Sequence, residues 1–229
     1  MLEAQAIKEA VDGSLEVRVV GLSGSLRSPS ATRMAVQYAL KGAEEEGAKV
    51  QVLDLAAFNL PYWGLEREEG NVKAVERFRS ELRASDGIIL GSPEMHGSIS
   101  GVLKNALDLT GTEEFEGKMI GLIGVAGGRM GAIETLSHMR SIGRSLHAWV
   151  VPAQVSIGDS AEVFNLKGEP VIPEIGERLK EVGRQVAHFA RLHKCENHAQ
   201  FLKEWETHRL STPESPNDKG SSGQIKTSP

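Results

Sequence analysis

Short apolar runs alternate with longer amphipathic stretches along most of the chain, which is the pattern of strands connected by helices. The apolar runs that predict strands are 17–22, 50–55, 86–91, 119–125 and 149–157. Short, mostly apolar runs of this kind are typical of strands that are buried on both faces of a parallel sheet.

The amphipathic stretches predict helices between these strands. In the first of them, Met34, Ala35 and Tyr38 recur at the spacing of one helix face, and Gly47 provides a stop. The predicted helices are 30–46, 72–84, 101–110, 131–146 and 173–193. This alternation predicts an α/β fold, a flavodoxin-like doubly wound sheet of five parallel strands in a three-layer α/β/α arrangement.

The two ends of the chain lie outside the alternation. Residues 1–13 have the pattern of a short amphipathic helix, whereas residues 211–229 are rich in Ser, Pro, Gly and Lys and lack aromatic residues. A segment of the latter composition cannot bury enough surface to fold alone. We therefore expect an N-terminal extension at 1–13, one flavodoxin-like domain at 14–195, a helical or irregular extension at 196–210 and a disordered tail at 211–229.

Composition and charge exclude several function classes. A net charge of −5 and the lack of a Lys/Arg stripe argue against nucleic acid as a partner. Cys195 is the only cysteine, so the chain has no disulfide framework or multi-cysteine metal site, and we interpret it as a surface or packing residue. No uncharged apolar run approaches the roughly 20 residues that span a bilayer. With no signal-like N-terminus, we expect a cytoplasmic protein without a membrane partner.

The loop after the first predicted strand combines small residues, hydroxyl groups and a guanidinium. Its small residues let backbone N–H groups converge at the start of a helix, where the helix dipole favours an anion, and Arg27 adds a charged donor. The hydroxyls belong to Ser23, Ser25, Ser30 and Thr32. The loop matches neither the Walker pattern nor Gly-x-Gly-x-x-Gly. An anion site is the favoured interpretation, and a Ser-rich turn that only caps the helix is the alternative.

The loop after the third predicted strand reads Ser-Pro-Glu-Met-His-Gly-Ser at 92–98. Pro93 restricts the backbone and Gly97 frees it, so we expect a shaped loop whose amides can face a planar ligand. Either Ser98 or Ser100 can cap the helix that follows.

Two side chains of this loop could carry chemistry of their own. His96 suggests an acid–base role, and Glu94 beside it suggests a metal ligand. One His and one Glu make a poor ligand set, so we predict no metal site. A lone loop histidine is more often a hydrogen-bonding or solvent-facing group than a catalytic base.

Glycines dominate the loop after the fourth predicted strand, Gly-Val-Ala-Gly-Gly-Arg-Met-Gly at 124–131. Positions without a side chain, here Gly127 and Gly128, let a flat ring approach the backbone closely. The alternative is a flexible loop before a helix. Arg129, Arg140 and Arg144 could contact a cofactor phosphate, although a solvated helix face is the more common location of such charges.

Three motifs therefore follow predicted strands in a fixed order. They are Gly-Ser-Leu-Arg-x-x-Ser at 24–30, Ser-Pro-Glu-x-x-x-Ser at 92–98 with Leu-Lys-Asn-Ala-Leu-Asp at 103–108, and the Gly-Gly pair at 127–128. Together they resemble the NAD(P)H-dependent FMN reductase family, which includes quinone, azo-dye and chromate reductases. The resemblance covers residues 16–193, and Pro-Glu-Met-His-Gly at 93–97 is also similar to a segment of the arsenic-resistance flavoproteins.

The resemblance implies a bound FMN, with its phosphate in the first loop and its ring against the other two. The implied contacts are Ser25, Arg27, Ser30 and Thr32 for the phosphate, and Pro93, Glu94, Met95, His96, Ser98, Gly127 and Gly128 for the ring. We add Ser23 to the predicted cofactor contacts because its hydroxyl belongs to the same loop. Many family members have an aromatic residue where this chain has Met95. The flavin carries the chemistry in such enzymes, so we predict no catalytic side chain.

The implied activity is that of an NAD(P)H-dependent FMN reductase or quinone reductase. It would use NADPH or NADH as co-substrate and reduce flavin, quinone or a similar small-molecule electron acceptor by ping-pong hydride transfer. The resemblance further implies a homodimer or homotetramer. A flavodoxin-like electron carrier and a flavin-bound redox sensor, neither with its own nicotinamide site, are the alternatives.

Overall fold

Five parallel strands form one sheet at the centre of the computed structural model, which describes residues 15–194. The strands are β1 (Arg18–Ser23), β2 (Lys49–Asp54), β3 (Gly87–Pro93), β4 (Met119–Val125) and β5 (Trp149–Ile157). Their order across the sheet is β2-β1-β3-β4-β5, and all four neighbouring pairs are parallel. This is the flavodoxin-like order of a doubly wound sheet, so the predicted fold class is confirmed.

Helices connect the strands as the amphipathic stretches predict. They are α1 (Ala31–Glu45), α2 (Leu55–Phe58), α3 (Asn71–Arg83), α4 (Gly101–Asp108), α5 (Thr112–Phe115), α6 (Ile133–Ser145) and α7 (Pro173–Lys194). The five long helices agree with the predicted ranges to within two residues at each end. The single-turn helices α2 and α5 were not predicted, because four residues are too few to show a 3.6-residue period.

The strands bury alternate side chains on the two faces of the sheet, since successive side chains of a strand point in opposite directions. Val19 and Ile89 pack against α1 and α7 on one face, whereas Val20, Ile88 and Leu90 belong to the core beneath the other helices. The result is the predicted three-layer arrangement, with both faces of the sheet covered.

Helices α1 and α7 touch through their backbones, which fixes the distance between them. A Cβ atom at Gly42 would lie 2.0 Å from the carbonyl oxygen of Lys180, and one at Gly183 would lie 1.8 Å from the carbonyl oxygen of Ala39. Only glycine fits at these two crossing points, so the small residues explain how α1 and α7 pack closely over the sheet.

We expect Gly183→Ala to destabilise the protein by about 1–3 kcal/mol, because an added methyl group in a tight contact forces the backbones apart. Urea unfolding followed by circular dichroism measures this change. Gly101→Ala is the matched control, since a Cβ at Gly101 in α4 meets no atom within 4 Å. Equal stability of the Gly183→Ala and native proteins would contradict the close packing of α1 on α7.

Some predictions concern residues outside the described range. The predicted helix at 1–13, the extension at 196–210, the tail at 211–229 and the role of Cys195 lie outside residues 15–194 and stay predictions. Within the described range, no helix combines the length and the apolar character that crossing a membrane requires.

Candidate active site

The carboxyl ends of β1, β3 and β4 meet at one edge of the sheet, and every predicted site residue lies at or just beyond that edge. Direct hydrogen bonds join the loops there. The Gly24 amide donates to the Gly91 carbonyl at 2.8 Å, the Ser100 hydroxyl donates to the Gly24 carbonyl at 2.6 Å, and the Glu94 amide donates to the Val125 carbonyl at 2.7 Å. The three motifs therefore form one continuous surface, the location at which doubly wound sheets bind ligands.

The loop between β1 and α1 buries its hydroxyl groups and exposes its cation. The four predicted hydroxyl residues, Ser23, Ser25, Ser30 and Thr32, are all buried, whereas Arg27 is exposed. Ser30 is the N-cap of α1, where its oxygen accepts a hydrogen bond from the Arg33 amide at 3.2 Å. The capping role considered for this loop is therefore real, but it engages only one of the four hydroxyls.

The Ser23 hydroxyl is the feature of this loop that a capped turn does not explain. Its side chain is fully buried, and its Oγ finds no hydrogen-bond partner within residues 15–194. Native proteins pair the large majority of buried side-chain polar groups, and an unpaired one costs about 1–3 kcal/mol. A ligand oxygen beside the last residue of β1 would satisfy this hydroxyl, so the loop fits an anionic group such as a phosphate.

Arg33 is a second cation near this loop that the sequence analysis did not select. Its Nη2 donates to Asp54 Oδ1 at 3.0 Å, and its buried Nε finds no hydrogen-bond partner among the described residues. The position of Arg33 in the sequence does suggest a nearby anion. A cation in the first turn of a helix interacts unfavourably with the helix dipole, and an anion beside the cation offsets this unfavourable interaction. Asp54 supplies one such anion.

The loop after β3 forms a tight turn that projects from the edge of the sheet. Met95 and Ser98 exchange two backbone hydrogen bonds of 2.9 and 3.1 Å. His96 and Gly97 between them have φ angles of 53° and 73°, as a type I′ turn requires. Gly97 thus provides the backbone freedom predicted for it, and the side chains of Met95 and His96 are exposed on the turn.

Glu94 and Thr135 hold this turn against the start of α6. The Glu94 carboxylate accepts a hydrogen bond from the Thr135 amide at 3.2 Å, and the Thr135 hydroxyl donates to the Ser98 carbonyl at 3.0 Å. Because its carboxylate is bound to a helix N-terminus, Glu94 acts as a positioning residue. Among the described residues, no three His, Cys, Asp or Glu side chains are grouped so that they could hold a metal ion.

The glycine loop after β4 is open to solvent on the side where its side chains would be. A Cβ at Gly127 or Gly128 would meet no atom within 4 Å. The other side of the loop is bound to the end of β5, where the Ala126 amide donates to the Ile157 carbonyl at 2.8 Å and the Asp159 amide to the Gly128 carbonyl at 3.3 Å. A flat group can therefore approach the backbone of this loop from outside without a steric clash.

Large apolar side chains are exposed around the same edge. They include Met95 (48% exposed) and Met130 (86%) in the loops after β3 and β4, and Tyr62 (76%) and Trp63 (68%) in the loop between α2 and α3. Asn105 of the Leu-Lys-Asn-Ala-Leu-Asp motif fixes the loop that carries Tyr62 and Trp63, because it accepts from the Trp63 amide at 2.9 Å and donates to the Pro61 carbonyl at 2.8 Å. Exposed apolar groups concentrated in this way mark a binding surface.

The sequence of the chain matches that of known flavin-dependent reductases. The pattern of the NADPH-dependent FMN reductase family matches residues 17–162, more than half of the chain. An NADPH azoreductase of a Bacillus species is 31% identical over 166 residues, which are 72% of this chain and 90% of the relative. An NAD(P)H-dependent FMN reductase of Pseudomonas aeruginosa is 32% identical over 72% of this chain and 91% of its own.

Solved structures confirm the fold. A flavoenzyme NAD(P)H:(acceptor) oxidoreductase of Paracoccus denitrificans superposes with a TM-score of 0.63 at 20% identity, covering 77% of this chain and 98% of that one. An oxidoreductase of Corynebacterium diphtheriae gives a TM-score of 0.61 at 20% identity, covering 75% of this chain and 95% of that one. The family and the enzyme class predicted from the three loops are confirmed: the chain belongs to the NADPH-dependent FMN reductase family.

Proposed function

We propose that the chain binds FMN at the carboxyl edge of its sheet and uses it to pass hydride from NADPH or NADH to a small acceptor such as a flavin, a quinone or an azo compound. The observation that carries the proposal is the buried, unpaired Ser23 hydroxyl at the point where the loops after β1 and β3 join. Family membership supplies the identity of the ligand whose phosphate would satisfy that hydroxyl.

The phosphate end of the proposed site consists of the loop between β1 and α1. We assign phosphate contacts to Ser23, Ser25, Arg27, Ser30 and Thr32. Ser30 can donate its hydroxyl proton to a phosphate oxygen while its oxygen caps α1. The positive end of the α1 dipole and the Arg27 guanidinium both favour a dianion at this position.

The ring end consists of the turn after β3 and the glycines after β4. We assign ring contacts to Pro93, Glu94, Met95, His96, Ser98, Gly127 and Gly128. The two backbone hydrogen bonds within the turn and the Glu94–Thr135 contact hold these groups in place before a ligand arrives. Met95 can contact an aromatic ring through its thioether sulfur, which would replace part of the stacking that an aromatic residue gives.

FMN, when bound, supplies the hydride-transfer chemistry, so the side chains of the protein act by binding and orientation. Tyr62, Trp63 and Met130 are exposed, and in the proposed complex a planar molecule would lie against the open side of the ring. Because the nicotinamide and the acceptor would both use this open side, they would bind in turn. We further propose that the chain forms a homodimer or homotetramer and acts in the cytoplasm.

Steady-state kinetics test the proposed enzyme against an electron carrier. We expect the purified chain with FMN to oxidise NADPH directly when a quinone or an azo dye is present. Double-reciprocal plots at several acceptor concentrations should give parallel lines, since the two substrates would occupy the same space in turn. NADPH oxidation that requires an added partner reductase would contradict the enzyme and favour the carrier, and intersecting lines would contradict the alternating use of one site.

A further inference from the structure

An apolar groove lies at the edge of the sheet opposite the flavin loops. It has a volume of about 420 Å³ and runs between the start of β5 and the last turns of α7. Its walls include Met119, Trp149, Val151, Pro152, Phe189 and Leu192. The carboxyl ends of the strands are at the far end of the molecule, so this groove is separate from the proposed flavin site.

Two large apolar side chains of this groove are exposed without a role in the site. Trp149 is 44% exposed and Phe189 is 38% exposed. Within residues 15–194, all the other exposed large apolar side chains lie in the connections that leave the carboxyl ends of the strands or in the first turn of the long helix that follows each connection. An exposed pair of aromatic rings beside an apolar groove indicates that another group covers it.

The groove is built to accept side chains rather than another strand. Within residues 15–194, β5 is an edge strand that pairs with β4 alone, and its fourth residue, Pro152, has no amide proton to donate. The pairing also shifts register between Ile120 and Leu122, opposite this part of β5. Proline and irregular register both prevent edge-to-edge pairing of strands, so an occupant must pack its side chains into the groove.

The chain itself continues from the rim of this groove with suitable side chains. The described part of α7 reaches Lys194, directly after the lining residues Leu192 and His193. The next large apolar residues along the sequence are Phe201, Leu202 and Trp205. After Trp205, the large apolar residues of the sequence are Leu210 and Ile225, so most of the apolar groups that follow Lys194 lie within eleven residues of it.

We propose that residues 201–205 of the same chain pack Phe201 and Trp205 into the groove between β5 and α7. Residues 201 and 205 are four apart, so both side chains would face the groove from one side of a helical turn. The six residues 195–200 lie between Lys194 and this segment, and a stretch of that length can span up to about 20 Å. Covalent attachment gives this segment a high effective concentration at the groove, which favours it over a second copy of the chain.

Hydroxyl-radical labelling of the full-length protein, read by mass spectrometry, tests the proposal. We expect the double variant Phe201→Ser/Trp205→Ser to raise labelling of Trp149 and Phe189 severalfold relative to the native protein. Trp63, at the opposite edge, is the internal reference and should not change. Ile225→Ser is the matched control, because it removes an apolar side chain from the same terminal region without emptying the groove.

A reciprocal variant covers the case in which the double variant fails to fold. Phe189→Ala opens one wall of the groove and should raise labelling of Trp205 severalfold, with Trp63 again unchanged. Equal labelling of Trp149 in the native, control and double-variant proteins would overturn the proposal, as would unchanged labelling of Trp205 in Phe189→Ala. Protection of Trp149 that disappears on dilution together with a dimeric mass would show that a second copy covers the groove, and would also overturn it.

Discussion

Replacing Arg27 with alanine should weaken FMN binding by about 10- to 150-fold, because a hydrogen bond to a charged group is worth about 1.5–3 kcal/mol. The Arg27 side chain is exposed, and the hydrogen bond of this residue to Ser25 Oγ comes from its backbone amide. The substitution therefore removes a phosphate donor and leaves the loop intact. Fluorescence titration of the flavin-free protein with FMN gives the dissociation constant.

Arg140→Ala is the control for this prediction. Arg140 is also exposed, but it lies on α6 and donates to Gln154 Oε1 at 2.7 Å, away from the loop between β1 and α1. We expect its FMN affinity and its unfolding free energy to match those of the native protein. An Arg27→Ala protein that binds FMN as tightly as Arg140→Ala does would exclude Arg27 from the phosphate site.

Replacing Ser23 with alanine should change stability and ligand affinity in opposite directions. Removal of a buried hydroxyl that lacks a partner relieves a cost of about 1–3 kcal/mol, so the unfolding free energy of the flavin-free protein should stay the same or rise. The same change removes a donor to the phosphate and should raise the Kd for FMN about tenfold or more. Urea unfolding with and without FMN measures both effects.

Ser85→Ala is the control that shows whether the loss of any buried serine hydroxyl has the effects predicted for Ser23→Ala. The Ser85 side chain is also buried, but its hydroxyl donates to the Leu82 carbonyl at 2.7 Å, and it precedes β3 at the other edge of the sheet. We expect Ser85→Ala to lower the unfolding free energy by the same amount in the presence and in the absence of FMN. If Ser23→Ala also destabilised the flavin-free protein and left the Kd unchanged, the Ser23 hydroxyl would have a structural role and no ligand.

The bounds of the strands could be predicted closely, because a strand that is buried on both faces of the sheet consists mostly of apolar residues. β4 begins and ends at the predicted residues, and all seven of its residues are buried. The single-turn helices α2 and α5 could not be predicted, since they depend on particular contacts at their starts. Asp54 caps α2 through the Ala56 amide at 3.1 Å, and the Glu114 carboxylate accepts from the Gly111 amide at the start of α5 at 2.8 Å.

The position of the site could also be predicted, because parallel strands bring the loops at their carboxyl ends to one edge. Sequence patterns do not reveal contacts between residues that are far apart along the chain. Thr135 holds the turn after β3 through Glu94, 41 residues away, and Asn105 fixes the loop at Trp63, 42 residues away. Thr135 has no local pattern that distinguishes it from an ordinary helix residue, and the motif that contains Asn105 does not indicate its contact with the loop at Trp63, so only the folded structure identifies their roles.

One spectroscopic measurement tests the proposed use of FMN most directly. The purified protein is loaded with FMN, separated from free flavin, and treated with NADPH in the absence of oxygen while its visible spectrum is recorded. We expect the bands of the bound oxidised flavin to bleach on addition of NADPH and to return when a quinone or an azo dye is added. A protein that retains no flavin, or whose flavin stays oxidised in the presence of NADPH, would contradict the proposed function.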